Sequence, residues 1–344
     1  MKLSILLLAV CITFSVASTA PNYTAEKTSE HGVDIVRLTD AAAGIEVAIA
    51  PSVGNRLYEM KVHGKNVLAS APDDVVDFQK RLQTGGIPFL APWANRLGEE
   101  DFWANGKKYT FNMTLGNVRG PVPIHGLVTT SPFWEVTEVK ADKQSAHITS
   151  RFQFWKHPDL MAQWPFAQEY EMTYQLSKGE LETKLVVTNL SADPMPIVLG
   201  FHPCFRIQGV DRDEWTATIA ARKRAIADDR LVATGELIPL DIPNPFPVKG
   251  QHLDTGFTDF QRDADGLAHF SIESGGKKVE ELFGPKYPAT IIYTPPDRQT
   301  VCFEPMTGIT NAVNLYHEGK YPGLQILAPG DKWTESFWIR ASGI

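Results

Sequence analysis

The chain has 344 residues, of which 43% are hydrophobic and 21% charged, with a net charge of −7. That length supports a large core, and the composition is that of a soluble globular protein. No lysine or arginine block occurs, so the electrostatic footprint of nucleic-acid binding is missing and no nucleic-acid partner is expected.

The N-terminus reads as a secretory signal. Lys2 supplies a minimal positive charge, Leu3 to Val16 is nearly all apolar, and Ala17, Ser18, Thr19 and Ala20 form a small-residue cleavage zone. The apolar run is too short to span a bilayer comfortably. Leu8-Ala9-Val10-Cys11 has a faint lipoprotein character, but Val10 is a poor residue before a lipidated cysteine. The expectation is a signal at 1–20, one β-sandwich domain at 21–344, a secreted or periplasmic location, and no membrane contact after signal removal. Once Cys11 leaves with the signal, Cys204 and Cys302 remain, in no metal-like spacing. They either pair or sit apart as small buried hydrophobes, and the sequence leaves both open.

Short alternating runs follow, in place of long helical periods. Asp101 to Phe111 reads as a hairpin, with Phe102-Trp103 and Tyr109-Phe111 flanking Asn105-Gly106, a favoured tight turn. Ala146 to Phe152, Leu181 to Val187, Trp215 to Ala220, His269 to Ile272 and Thr290 to Tyr293 alternate as half-buried strands do. Ile238 to Pro247 is proline-rich but carries Phe246 and reads as an ordered loop rather than a tether. Many short strands separated by turn signals predict an all-β sandwich or barrel. Asn22, Asn112 and Asn189 each open a glycosylation triplet, which matters only in a eukaryotic secretory pathway.

Five side chains stand out for chemistry. Val301-Cys302-Phe303-Glu304-Pro305 places a carboxylate at the expected end of an apolar strand, on the same face as Cys302. Apolar surroundings raise such a carboxyl toward the range useful for proton transfer. His202 ends the apolar run Pro196 to Phe201, with Pro203 behind it, and His125 precedes Gly126 in a rigid Pro-Val-Pro-Ile segment. Arg96 follows a stretch, Pro88 to Trp93, that is too apolar for an outer face. Asp254 lies in Leu-Asp-Thr-Gly, which is also ordinary turn chemistry. Each alone has a plain structural reading: a satisfied core histidine, a solvated arginine, an edge carboxylate. Together they suit the mouth of a β fold that binds a small ligand. Trp93, Trp155 and Trp164 suit either a sugar platform or the core. No HxH or HExxH spacing occurs, so no metal is expected.

The ordered motifs resemble the aldose 1-epimerase (galactose mutarotase) family over roughly residues 35 to 340. Asn95-Arg96 followed by Asn105-Gly106-Lys107-Lys108-Tyr109, then Ile124-His125-Gly126, Asn189 through Phe205, Phe303-Glu304-Pro305 with Asn311 and Ala312 downstream, and Pro329-Gly330 match its segments in order. The resemblance implies a large antiparallel β-supersandwich that interconverts anomers of a free aldose without a cofactor. It implies Glu304 as general base, His202 as general acid, and His125, Arg96, Asp254 and Asn95 as sugar-binding residues. It implies a small-molecule sugar as partner and a monomer or homodimer. Pro-Ile-His-Gly-Leu and Gly-Phe-His-Pro-Cys-Phe depart from the motifs of well-known galactose mutarotases, which leaves the sugar open. The related hexose-6-phosphate epimerases would need added basic contacts, for which Arg119 is the one candidate. A non-catalytic sugar-binding domain has no need of both His202 and Glu304. A hydrolase built on Asp254 and Glu304 would need carboxyl groups about 5–10 Å apart.

Overall fold

A computed structural model describes residues 22–69, 75, 85–115 and 118–344; the segment read as a secretory signal lies outside them, Asn22 onward being described. Among the described residues the architecture is predominantly β, and its short α-helices include Pro158–Gln163 and Ala312–His317.

Strict alternation builds the larger sheet. Gln168–Ser177 and Glu180–Asn189 bury every second side chain, and they pair antiparallel from Gln168 opposite Asn189 to Ser177 opposite Glu180. Lys178 and Gly179 join them with φ of 53° and 75°, the positive values a two-residue hairpin turn needs. Around this hairpin a nine-stranded sheet runs in the order Glu135–Ala141, Ala146–Gln153, Gln168–Ser177, Glu180–Asn189, Lys332–Ser342, Lys277–Phe283, Ala268–Ser274, Thr216–Thr218, Phe246–Pro247. The proline-rich stretch therefore ends as an edge strand, where a missing N–H is tolerated, and Phe246 is buried.

A second sheet of eight strands packs against it. Its path is Ala233–Pro239, Ala221–Ala227, Asp254–Phe260, Ala289–Tyr293, Val301–Met306, Gly200–Phe201, Phe89–Leu90, with Cys204–Phe205 also paired to Val301–Met306. Ring contacts between Phe270 and Phe303 at 5.7 Å and between Phe201 and Phe337 at 4.9 Å close the space between the sheets. A five-stranded antiparallel sheet, 23–66, adds Leu38, Val47, Leu57 and Met60 to the same core. Trp93 and Trp164 belong to that core, their rings 6.0 Å apart, whereas Trp155 is exposed.

Two local expectations are revised. Glu304 does not end its strand, which runs through Pro305 to Met306. Pro305 removes one donor, but Thr307 N–H donates to Leu199 O at 3.0 Å and resumes the ladder beyond it. The apolar run before His202 is two strands, Met195–Ile197 pairing with Gln325–Leu327 and Gly200–Phe201 joining the eight-stranded sheet. Asn189 is buried and donates to Asp193 O and Leu327 O, so its glycosylation triplet is occupied by structure.

Candidate active site

Cross-strand register assembles half of the site. Asp254 lies opposite Tyr293, Tyr293 opposite Cys302, and Cys302 opposite Cys204, a row of four across one face of the eight-stranded sheet. Residues directly opposite in a ladder share a face, as do residues two apart along a strand. Glu304 therefore points to the same face from the next row, while Phe303 points into the core. Both the strand and its neighbour hold Glu304 in place: it lies opposite Ile291, and its N–H donates to Thr290 Oγ1 at 2.9 Å. Its carboxyl is 2% exposed.

His202 follows the two-residue strand Gly200–Phe201 and is anchored by its N–H to Pro88 O at 3.2 Å. Gly200 is needed there because a Cβ would lie 2.5 Å from Pro305 O. This close approach brings the histidine segment onto the Glu304 strand. His202 Nε2 lies 3.2 Å from Glu304 Oε1, while Glu304 Oε2 is buried without a hydrogen-bond partner among the described residues. Cys204 and Cys302 form a disulfide beside this pair, and Cys204 Sγ lies 3.5 Å from His202 Nδ1.

A loop supplies the rest. Asn95 has φ of 52°, and its Oδ1 accepts from Arg96 N at 2.9 Å and from Arg96 Nη1 at 3.2 Å. That arrangement sets the guanidinium, whose Nη2 lies 3.3 Å from Asp254 Oδ2. Asn95 O accepts from His125 N–H at 2.9 Å, and Arg96 bridges Ile124. His125 has φ of 61° and is followed by Gly126 at 66°, where a Cβ would stand 2.0 Å from Ala91 O. Only glycine lets the chain cross Ala91 so closely. The His125 ring ends 5.4 Å from that of His202, nearly perpendicular to it. All six residues singled out in the sequence thus fall in one connected cluster.

Burial sets the electrostatics. It pushes the Glu304 carboxyl well above the ordinary range; the like charge of Asp254 adds to the rise and Arg96 opposes it. It pushes the His202 imidazole down to about 4; its own backbone and Asp254 resist, and Arg56 and Arg96 assist. The cluster suits proton transfer. A ring nitrogen of His202, Cys204 Sγ and Cys302 Sγ lie within 4.8 Å of one another, but with the sulfurs bonded to each other they offer a metal no thiolate pair.

The sequence model of aldose 1-epimerase matches residues 34–340. The chain belongs to the aldose 1-epimerase family. Among solved structures, a galactose mutarotase-like protein from Clostridium acetobutylicum is 24% identical, with 94% of this chain and 99% of that chain covered and a TM-score of 0.84. A Synechocystis sp. PCC 6803 protein is 23% identical, covering 97% and 100%, with a TM-score of 0.71. A galactose 1-epimerase from Lactobacillus acidophilus is 14% identical, covering 94% and 99%, with a TM-score of 0.72. The chain thus has the galactose mutarotase-like β-sandwich fold, in a family of carbohydrate isomerases. No helix among the described residues is long and apolar enough to cross a membrane.

Sequence reasoning missed two neighbours of this cluster. Tyr293 stands between Asp254 and Cys302 in the row, its ring 6.4 Å from that of His202. Its run, Thr290 to Tyr293, carries no signal beyond an ordinary strand. Arg56, fully buried, donates to Thr129 O at 2.9 Å and adds positive charge near His202. Nothing in the sequence around Arg56 distinguished it from a surface arginine. The side chain of Arg119 lies outside the described residues.

Proposed function

We propose that the protein interconverts the α and β anomers of a free aldose by opening and reclosing the sugar ring. The observation that carries this reading is the contact of His202 Nε2 with Glu304 Oε1 at 3.2 Å, with Glu304 Oε2 left unpartnered. A sugar whose C1 end reaches this pair meets a base and an acid together. Glu304 takes the proton from the C1 hydroxyl, the C1–O1 bond becomes a carbonyl, and the C1–O5 electrons pass to the ring oxygen. His202 donates a proton to that oxygen. Rotation about C1–C2 and the reverse transfers close the ring on the other face, so the pair ends with the proton count it began with.

Burial supports this division of labour. A carboxylate that binds its proton tightly is a strong base, and an imidazolium that holds its proton loosely is a strong acid. The Arg96–Asp254 pair and His125 orient the ring hydroxyls, which fixes C1 against the two catalytic groups. A pure sugar binder would have no use for a buried acid–base contact. With Asp254 paired to Arg96, the acid–base contact at hand is carboxylate to imidazole, which favours anomerisation over a two-carboxylate hydrolase.

Polarimetry on freshly dissolved α-aldoses, at low temperature and low buffer, tests the reading. Wild type is expected to exceed the spontaneous rate, and Glu304→Gln to lose about 10²–10⁴ of the enzymatic rate, since Gln keeps the shape but accepts no proton. A wild type that accelerates no aldose, or a folded Gln variant of unchanged rate, overturns it.

A further inference from the structure

The disulfide lies within the acid–base constellation. Cys204 and Cys302 are directly opposite each other on antiparallel strands, their Cα atoms 3.9 Å apart, and are separated by 98 positions in the chain. His202 is two residues before Cys204, and Glu304 is two residues after Cys302. The four side chains close a ring: Glu304 to His202 through Nε2, His202 to Cys204 through Nδ1, Cys204 to Cys302 through the S–S bond, and Cys302 to Glu304 along one strand.

Besides the disulfide, the two halves of that ring are joined by backbone pairing, by Thr307 Oγ1 donating to Ile197 O and Leu199 O at 3.0 Å, and by the Phe205–Phe303 ring contact at 6.2 Å, none of which reaches the His202 ring. The histidine segment meets the Glu304 strand at three register pairs, Gly200 with Met306, Cys204 with Cys302 and Phe205 with Val301. Pro203, between them, has no N–H to donate. His202 itself is tied by its backbone to Pro88, on another strand end. The Cys204 sulfur lies 3.5 Å from its Nδ1, and the other partner of the ring on this segment is its own backbone carbonyl.

We propose that the Cys204–Cys302 disulfide is a positioning element for the acid–base pair, holding His202 in the orientation that serves Glu304, and that its reduction slows the chemical step without loosening sugar binding. This rests on the anomerisation reading above. Reduction by a dithiol consumes the S–S bond, leaves two cysteine thiols and converts the reductant to its own disulfide, so two electrons and two protons enter the protein. The two sulfurs then separate to non-bonded distance. His202 Nδ1 meets a thiol that titrates in place of a bonded sulfur that does not. The groups that bind the sugar ring, Arg96, Asp254 and His125, are held by other contacts.

The experiment compares the full oxidised chain with the same protein reduced by dithiothreitol, in a chelator, with folding followed by near-ultraviolet circular dichroism and thiol content by mass. Reduction is expected to lower kcat at least tenfold, to leave KM within about twofold, to add a limb to the pH profile at thiol pKa, and to be reversed by reoxidation. A folded Cys204→Ser/Cys302→Ser variant should match the reduced rate and ignore the reductant. In parallel, imidazole NMR follows His202 against the remote His147. Equal kcat and pH profiles in both redox states overturn the proposal, as do His202 signals that do not move on reduction. An oxidised protein with no activity on any aldose defeats the anomerisation reading instead, and the His202 signals then still decide the positioning claim.

Discussion

Glu304 and His202 titrate as one unit, and the site's pH behaviour follows from that. The productive state carries one proton on the pair, with Glu304 ionised and His202 protonated, and its population follows that of the singly protonated pair. Acid removes this state by adding a second proton, which His202 resists down to about 4 because burial disfavours the imidazolium. Alkali removes it by taking the last proton, which the buried Glu304 carboxyl holds well above the usual range. The expected kcat/KM profile for a free aldose is a bell with its acid limb near pH 4 and a plateau through neutrality. A profile that already falls below pH 6 would show that the imidazole is not buried as described. These two residues were legible in the sequence because proline and glycine punctuate them. Their 3.2 Å contact was not, since it joins positions 102 apart and the strand that brings His202 there, Gly200–Phe201, is only two residues long. Tyr293 was missed because nothing local separates a site tyrosine from a strand tyrosine.

The elements that read most clearly from sequence were the long alternating strands and the Asn105–Gly106 hairpin, with φ of 52° and 72° at its turn. There period and turn chemistry agree. Pairing order among distant strands has no such local trace, nor does an exception within a strand. Lys277–Phe283 is one such exception. Glu281 shares its inward face with Val279 and Phe283, lies opposite Phe270 and Ile339, is fully buried, and neither carboxyl oxygen has a partner among the described residues. Burial raises its pKa well above the ordinary value, and the nearby Glu304 adds to this. The native state therefore keeps a proton that the unfolded chain releases above about pH 4.3. Any stability tied to that proton is fully present below this pH and is lost as pH rises toward the raised native value. Glu281→Met keeps the volume and removes the polar burial, so it is expected to stabilise by about 1–3 kcal/mol at pH 8 and by less at pH 4. Urea unfolding at the two pH values checks this. A variant less stable than wild type at pH 8 would mean that Glu281 has a compensating partner.

At the scale of the whole molecule, net charge bears on substrate choice. The protein carries 33 basic and 40 acidic side chains, a balance that repels anions at long range. Within the site the guanidinium of Arg96 is engaged by Asp254 and Asn95, and Glu304 lies close by. A phosphorylated sugar needs a basic cradle, usually of arginine forks with donors to spare, and gains nothing from a guanidinium already turned to a carboxylate. A neutral sugar needs hydrogen-bond donors and acceptors in fixed places, which the same pair supplies. The long-range field acts on charged ligands and is screened over about 10 Å at 0.1 M salt, so it leaves a neutral aldose unaffected. The expected outcome is a kcat/KM for the free aldose that stays within about twofold between low salt and 0.5 M salt. For the matching 6-phosphate it is expected to be at least about tenfold lower, the cost of an ionised group without good partners being at least 1.4 kcal/mol. Anomer exchange measured by NMR on both sugars across the salt series decides it. Preference for the 6-phosphate, weakening steeply with salt, would instead identify an anion cradle near the site and move the substrate class to sugar phosphates.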